Sequence, residues 1–445
     1  MYKFHGGLYT DVRIEDVFET IITFTNGEMT EYKVRNYKAA FVRVYDGGRW
    51  YYSSNSQPEL IQDEIDKLSA MAKPDTHIND NPVVKKFEVN KGKFLNFTQN
   101  DVFKVSEDEK INLLKSMFST VEENKFIKNW AASYIDCKKV KEFYSSKGAE
   151  IKFDTQRCGF RISFAMSEGE RKFREAFQKG SDKFDELLSQ EQGLKGFIDK
   201  CEDFLLNAKP VEKGIYTVVL SPIAAGVFAH ESFGHKSESD FMVADETMKK
   251  EWTLGTKVGS DILTIIDDGN EPGSGFCAFD DEGTRARKTY LIKNGILAGR
   301  LHNCSTAAIL EENLTGNARS INFEYEPIVR MTTTYIEGGC ESKEELFSKV
   351  KNGIYIENIS HGSGMSTFTI APTLAYMIRD GKISEPVNIS VITGNVFKTL
   401  SEVDGVSNDV ELLSFVTGGC GKMEQYPLPV GFGGPYVRVN NINVQ

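Results

Sequence analysis

Hydrophobic and polar residues alternate with period two over several stretches of the first half of the chain, and turn residues interrupt them. "VFETIITFTNGEMTEYKV" (17–34) predicts two strands joined at Asn26-Gly27, a dipeptide suited to a tight hairpin turn. "AAFVRVYDGGRWYY" (39–52) predicts a second hairpin turning at Asp46-Gly47-Gly48. The period then lengthens. Ser56-Gln57-Pro58-Glu59 reads as a capping box with proline in the first helical turn, and Leu60, Ile61, Ile65, Leu68 and Met71 mark one helix face. Ser106 and Glu109 open another helix, with Ile111, Leu114 and Phe118 on one face. Phe160, Ile162, Phe164 and Met166 return to strict alternation, the mark of a strand with one face on a core. Residues 169–206 read as a helical region with a polar face, ending near Pro210. Strands, helices, strands and helix in that order predict an α+β layer domain, an antiparallel sheet with helices, over residues 1–210.

The texture changes after "NAKPVEKG". Residues 211–445 carry more glycine and short β-like runs such as "YTVVL", "ILTIID", "VNISVITG" and "PYVRVNN", with turns predicted at Asn294-Gly295 and Asp380-Gly381. A mostly-β C-terminal domain is expected there, and the fold class as a whole is α+β. With 445 residues, two domains are the natural division, and 40% hydrophobic content suffices for substantial cores. Lys plus Arg number 53 against 64 Asp plus Glu, a net charge of −11. Such a surface repels nucleic acid and anionic lipid, and no basic run offsets it, so neither is expected as a partner. The first residues lack the apolar core of a leader peptide, and "YTVVLSPIAAGVFAH" is too short and broken to span a bilayer. Seven cysteines without close pairs suit reduced thiols and a cytoplasmic location.

Candidate chemistry concentrates at "HESFGH", residues 230–235. "YTVVL" predicts a strand, Ser221 an N-cap and Pro222 the first helical position, so His230 and Glu231 fall in the last turns of a short helix. In the zinc-peptidase pattern H-E-x-x-H the two histidines are four apart and face one way. Here they are five apart, about 500° of rotation, so a regular α-helix would splay them. Either Gly234 ends the helix and His235 swings back from the exit, the favoured expectation, or a π-turn absorbs the extra residue. The pattern alone leaves open a metal pair, a structural histidine pair and coincidence.

A metal site needs a third ligand. Candidates are His302, His361, Cys277, Cys304, Cys340, Cys420, Glu238 and Asp240. Cys420 stands out in "FVTGGCGKMEQ", where glycines at 418, 419 and 421 would expose the thiol, although a small buried residue in a tight turn is the competing reading. That segment is no phosphate-binding loop, because Val416 and Met423 occupy positions where the pattern needs Gly and Ser or Thr. Asp280-Asp281-Glu282 reads as a solvated acidic turn, His5, His77 and His361 as surface residues, and "SHGSGMSTF" (360–368) and "PVGFGGPY" (429–436) as glycine-rich loops available to line a groove.

Together "HESFGHKSESD", "FDDEGT" (279–284), "LTGNAR" (314–319), "VRMTTTYI" (329–336) and "TGGCGK" (417–422) resemble, in order and spacing, the TldD/PmbA family, also called the modulator-of-gyrase or U62 peptidase family. The His pair with the C-terminal Gly-Cys-Gly-Lys points to its TldD-like, metal-bearing branch. The resemblance implies a metal-dependent peptidase acting on unfolded peptide. His230, His235 and Cys420 would hold one divalent ion, zinc first and iron next, with Glu231 as catalytic acid/base. It also implies a dimer, with itself or with a metal-free paralogue. Lys236, Ser237 and Thr333 depart from the residues usual at their positions, with substrate contacts the expected place for an effect. The sequence assigns no substrate-binding residue. A non-catalytic partner subunit and a deformylase-like hydrolase of small substrates are the rival functions.

Overall fold

Residues 9–181 build one seven-stranded sheet, in a computed structural model that describes residues 2–243, 245–364 and 366–445. Its strands are β1 (Tyr9–Thr25), β2 (Glu28–Tyr45), β3 (Trp50–Asn55), β4 (Lys91–Phe94), β5 (Ile127–Ser145), β6 (Glu150–Glu168) and β7 (Arg171–Ser181). They lie in the order β3-β2-β1-β5-β6-β4, with β7 also on β6, and every pairing but β4–β6 is antiparallel. Asn26 and Gly27 both take positive φ, which gives the turn the twist that joins β1 to β2.

Helices α1 (Ile61–Met71), α2 (Glu107–Lys115) and α3 (Glu191–Asn207) accompany the sheet. Phe160, Ile162, Phe164 and Met166 of β6 are buried in one cluster with Leu194, Ile198, Cys201 and Phe204 of α3. The Ser106–Glu109 capping box forms, with both reciprocal hydrogen bonds. The box expected at Ser56 does not. Gln57 stands at the N-cap of a 3-10 turn, Pro58–Leu60, no side chain caps it, and the buried face of α1 stops at Ser69 with Met71 exposed. The helical reading of 169–206 is corrected as well. Residues 171–181 are β7, and α3 starts only at Glu191. Phe173 and Phe177 pack in the same cluster as α3 while Arg174, Ala176 and Gln178 face a cavity, so this strand keeps polar residues on its open side.

From residue 209 onward strands dominate. An eight-stranded sheet contains β8 (Gly214–Leu220), β9 (Asn352–Gly364), β10 (Thr367–Arg379), β11 (Ile392–Asn395) and β12 (Val437–Val444). These five pair around a closed ring, β9 with β8, β8 with β12, β12 with β11, β11 with β10 and β10 with β9. A six-stranded sheet includes three short strands, Thr333–Ile336, Glu411–Ser414 and Gly431–Gly434. Helix α4 (Pro222–Ala229) is buried between the sheets, where its Phe228 shares a core with Val218, Leu220, Ile356 and Phe432. The two segments read as loops are therefore strands. Ser360–Gly364 and Thr367–Phe368 belong to β9 and β10, with Met365 outside the described residues, and Gly431–Gly434 is a buried strand of the second sheet.

The acidic triplet is a correction of a different kind. Asp280, Asp281 and Glu282 are 1%, 4% and 2% exposed, the reverse of a solvated turn. Asp281 pairs with Lys141 at 2.5 Å and with Arg13 at 3.5 Å. Glu282 pairs with Arg43, which also holds Asp11. Asp280 accepts the backbone N–H groups of Glu282, Thr284 and Ala318. The triplet is thus the polar joint between strands β1, β2 and β5 and the chain beyond residue 279. A second joint lies on the cross-strand pair Gly159 and Gly180 of β6 and β7. A Cβ on Gly159 would stand 2.6 Å from Val416, and one on Gly180 2.8 Å from the Ser414 carbonyl, so the missing side chains let residues 414–416 lie on the sheet.

Candidate metal centre

Ser221 caps α4 with its hydroxyl on the Ala224 N–H, and Pro222 fills the first turn, as the sequence predicts. The helix does not stop at Gly234. Residues His230–Gly234 form a π-turn, and a 3-10 turn, His235–Ser237, follows directly. The wider turn takes up the extra residue and brings both imidazoles to one side, their ring centroids 5.1 Å apart. Gly234 is helical in φ and ψ. A Cβ there would fall 2.0 Å from Met331 Sδ, so this glycine provides close packing, not a helix stop.

Cys420 arrives from the far end of the chain. Gly418 takes φ +84°, and a Cβ on Gly419 would meet the Leu428 carbonyl at 2.4 Å. Arg330, fully buried, donates to the Cys420 carbonyl at 2.7 Å and to the Gln425 carbonyl at 3.2 Å, which fixes this short hairpin. Cys420 Sγ lies 3.5 Å from His235 Nε2. The ligand atoms of His230, His235 and Cys420 all lie within 4.8 Å of one another. Among the described residues no other group of three His, Cys, Asp or Glu side chains converges in this way.

The trio fits a borderline divalent ion. Two imidazoles and one thiolate are zinc-type donors, and three protein ligands leave a coordination position open. His230 Nδ1 is buried and finds no partner within the protein. Glu238, fully buried, lies 3.2 Å from His235 Nδ1, which leaves Nε2 toward the trio. Such a carboxylate partner commonly fixes the tautomer of a metal-binding histidine. Lys422 in turn sits 3.1 Å from Glu238, donates to both Asp240 oxygens at 2.6 and 2.8 Å, and reaches the Val329 carbonyl.

Electrostatics favour a thiolate at Cys420 and a charged imidazole at His235. Burial works against a thiolate at Cys420, yet the two imidazoles outweigh it and lower the thiol to about 5. Burial likewise opposes charge on His235, but Cys420 and Glu238 raise the imidazole to about 11. Burial would raise Glu238, and His235, Lys422 and Arg330 hold it below its ordinary value.

The trio and Glu231 line a cavity of about 500 Å³ together with Arg161, Phe415 and Tyr426. Glycines bring β9 close against the π-turn, since a Cβ on Gly362 would meet Glu231 Cγ at 3.4 Å and one on Gly364 the Glu231 carbonyl at 3.1 Å. His361 borders the cavity from an exposed position.

The other weighed ligands lie elsewhere or play other parts. His302 pairs with Glu312 and Thr306, Cys277 donates to the Phe279 carbonyl, Cys304 packs in the cluster of Tyr9 and Phe87, and Cys340 is exposed. Glu238 and Asp240 support His235 and Lys422. Lys236 is buried over Phe397 at 4.9 Å from the ring centroid, Ser237 donates to the Phe233 carbonyl, and Thr333 is packed against Gly275 and Gly431. None of these three lines the cavity, so the substrate contacts expected of them are not found there. Sequence reading missed the work of Arg330 and Lys422. Lys422 carried a signal, two residues beyond Cys420 on one strand and so on the same face.

Profiles of the PmbA/TldA metallopeptidase family match three stretches, domain 1 at residues 10–73, the central domain at 100–195 and the C-terminal domain at 213–445. A metalloprotease of Methanocaldococcus jannaschii is 32% identical over 439 residues, covering 97% of this chain and 96% of that protein. A zinc metalloprotease TldD homologue of Saccharolobus solfataricus is 28% identical over 448 residues, covering 99% of this chain and 97% of that protein. The crystal structure of TldE from Thermococcus kodakarensis shares the fold, with a TM-score of 0.76 at 18% identity over 98% of this chain and 96% of its own.

Proposed function

This chain belongs to the PmbA/TldD metallopeptidase family, and from that premise we propose that it hydrolyses unfolded or extended peptides at a site held by His230, His235 and Cys420. The observation that carries this reading is the convergence of those three ligand atoms within 4.8 Å, on the wall of a cavity that Glu231 also lines. A divalent ion held there, zinc first and iron next, supplies a polarised carbonyl and a water acidic enough to ionise near neutral pH. The remaining work falls to the chain. Glu231, next in sequence to His230, takes the proton of the attacking water and returns it to the leaving amine. Glu238 keeps His235 in the tautomer that ligates through Nε2, and Arg330 holds the Cys420 backbone in place. The exposed stretch of β9 at Ser360 and His361 borders the cavity, and a strand there suits an extended substrate.

We further read the chain as two units, 1–210 and 211–445, a division supported by the separate sheets on either side of α3. Free thiols at all seven cysteines support a cytoplasmic setting, and no helix among the described residues is long and apolar enough to cross a membrane. We propose a dimer, with a second copy or with a metal-free paralogue, as the family resemblance implies. The cavity shares walls with a second one beyond Arg161, which favours a polypeptide over the small substrate of a deformylase.

The test combines activity with metal analysis. Purified protein should carry close to one ion per chain and cleave unfolded casein in a chelator-sensitive reaction. Glu231→Ala should lose at least about 100-fold in activity while retaining its metal. Undiminished turnover in that variant would remove Glu231 from the chemistry, and metal-loaded protein inert toward every peptide would favour a regulatory subunit.

A further inference from the structure

Arg161 lies on β6, far in sequence from the C-terminal motifs that carry the trio, yet it lines the cavity of the ligand trio. The Gly159–Gly180 pair explains why. It seats residues 414–416 on the sheet, and residues two positions along each strand share the same face. Those are Arg161 and Gln178, also a cross-strand pair. Arg161 is therefore delivered to the edge of the seam over which the Cys420 segment runs. It forms, with Ile359, Ser360 and Phe415, the common wall of the metal-side cavity and a second cavity of about 560 Å³ over β5, β6 and β7.

The guanidinium is half-buried and largely unspent. Among the described residues its one hydrogen bond goes from Nη1 to Gln178 Oε1 at 3.3 Å, and no carboxylate is in ion-pair contact with it. Glu175, the acid nearest in effect, uses Oε1 on the Ala176 N–H. The second cavity is lined by Asn129, Ser163 and Asn358 beside Trp130 and Ile359, and also by Arg174 and Glu175, whose second carboxylate oxygen is buried without a partner. A guanidinium offers five donors in a planar fork that matches a carboxylate, and Arg161, half-buried and in ion-pair contact with none, keeps most of those donors open.

We propose that Arg161 binds a carboxylate of the substrate, so that the chain selects peptides bearing a negative charge on the sheet side of the bond to be cut. This deepens the peptidase reading and rests on it. Two sources carry that group, the free C-terminus of the peptide and an Asp or Glu side chain.

The experiment uses full-length, metal-loaded protein and three fluorescent peptides of one length: a neutral peptide with a free C-terminus, its C-terminal amide, and an amide with one internal Glu. Binding is followed by anisotropy in the Glu231→Ala background and cleavage in the wild type. Wild-type Arg161 should favour at least one carboxylate peptide over the plain amide by about 10- to 100-fold, and which one identifies the source. Arg161→Gln should erase the preference, with the carboxylate peptides falling to the affinity of the plain amide. Arg161→Glu should turn the preference toward an amidated peptide with one internal Lys, a gain that a misfolded variant would not produce. Equal binding of all three peptides by the wild type, or a preference untouched in Arg161→Gln, overturns the assignment. Carboxylate-dependent binding without cleavage would overturn the peptidase reading alone, and failure to bind any of the peptides would overturn both.

Discussion

Without a cation, Cys420 and His235 form a buried thiolate–imidazolium pair, because the thiol is lowered to about 5 and the imidazole raised to about 11. The sign for metal uptake follows. At pH 7 the sulfur has already lost its proton, whereas His235 must release one before Nε2 can ligate. Uptake at that pH should therefore release about one proton per ion from this pair, read by calorimetry in buffers of different ionisation heat. Affinity should fall steeply as pH drops through about 5, where the thiolate protonates. Glu238→Gln keeps an acceptor for His235 Nδ1 but removes the charge, and should weaken metal binding about 10- to 100-fold in a chelator competition. Cys420→Ser should lower metal content, and unchanged stoichiometry would assign the third position to another residue. The convergence of His230, His235 and Cys420 was legible in part: spacing singled out the two histidines and flanking glycines drew notice to Cys420, but only the family resemblance joined the three. The roles of Glu238, Arg330 and Lys422 were not legible, since each depends on what the fold sets opposite.

At the scale of the element, one glycine between two functional residues has two meanings that sequence cannot separate. Gly234 reads as a stop, yet the helical path continues through it under the Met331 sulfur. Gly226, one turn before His230, faces a harder obstacle, since a Cβ there would lie 2.5 Å from the Gly433 N and 2.6 Å from its Cα. A backbone gives way less readily than a methionine side chain. Gly226→Ala should thus destabilise the protein by about 3 kcal/mol and Gly234→Ala by about 1 kcal/mol, measured by denaturant unfolding. Adding Met331→Ala should restore part of the loss in Gly234→Ala and none in Gly226→Ala. The α+β class and hairpins at Asn26-Gly27, Asn294-Gly295 and Asp380-Gly381 were readable, because period-two alternation and positive φ leave local marks. The β7 strand escaped because its open face is polar, and polar residues next to a true helix blur into it.

For the molecule as a whole, a net charge of −11 says nothing about which acids are buried. Asp281 sits in the joint between the first sheet and the later chain. Burial alone would raise its carboxyl, but Lys141 and Arg13 hold it well below the usual carboxylate range. A carboxylate depressed in this way stabilises the fold above its unfolded-state value and loses that contribution only as pH falls through its folded-state value. The joint should therefore persist into strong acid. Lys141→Met leaves Asp281 with Arg13 as its remaining ion-pair partner and should cost about 3 kcal/mol, while moving acid unfolding to higher pH, both visible by circular dichroism. Contacts of this kind join residues far apart in the chain, which is why a short acidic run looks solvated until its partners are in place.

The seam at Gly159 and Gly180 divides labour along the gene. The His230, His235 and Cys420 trio lies in its second half, whereas Arg161, on the common wall of the two cavities, comes from an earlier strand. On the reading proposed above, a lineage could change its diet by editing that wall alone and leave the trio untouched. A fragment beginning after α3 would inherit the trio yet lack the Arg161 side of the trough.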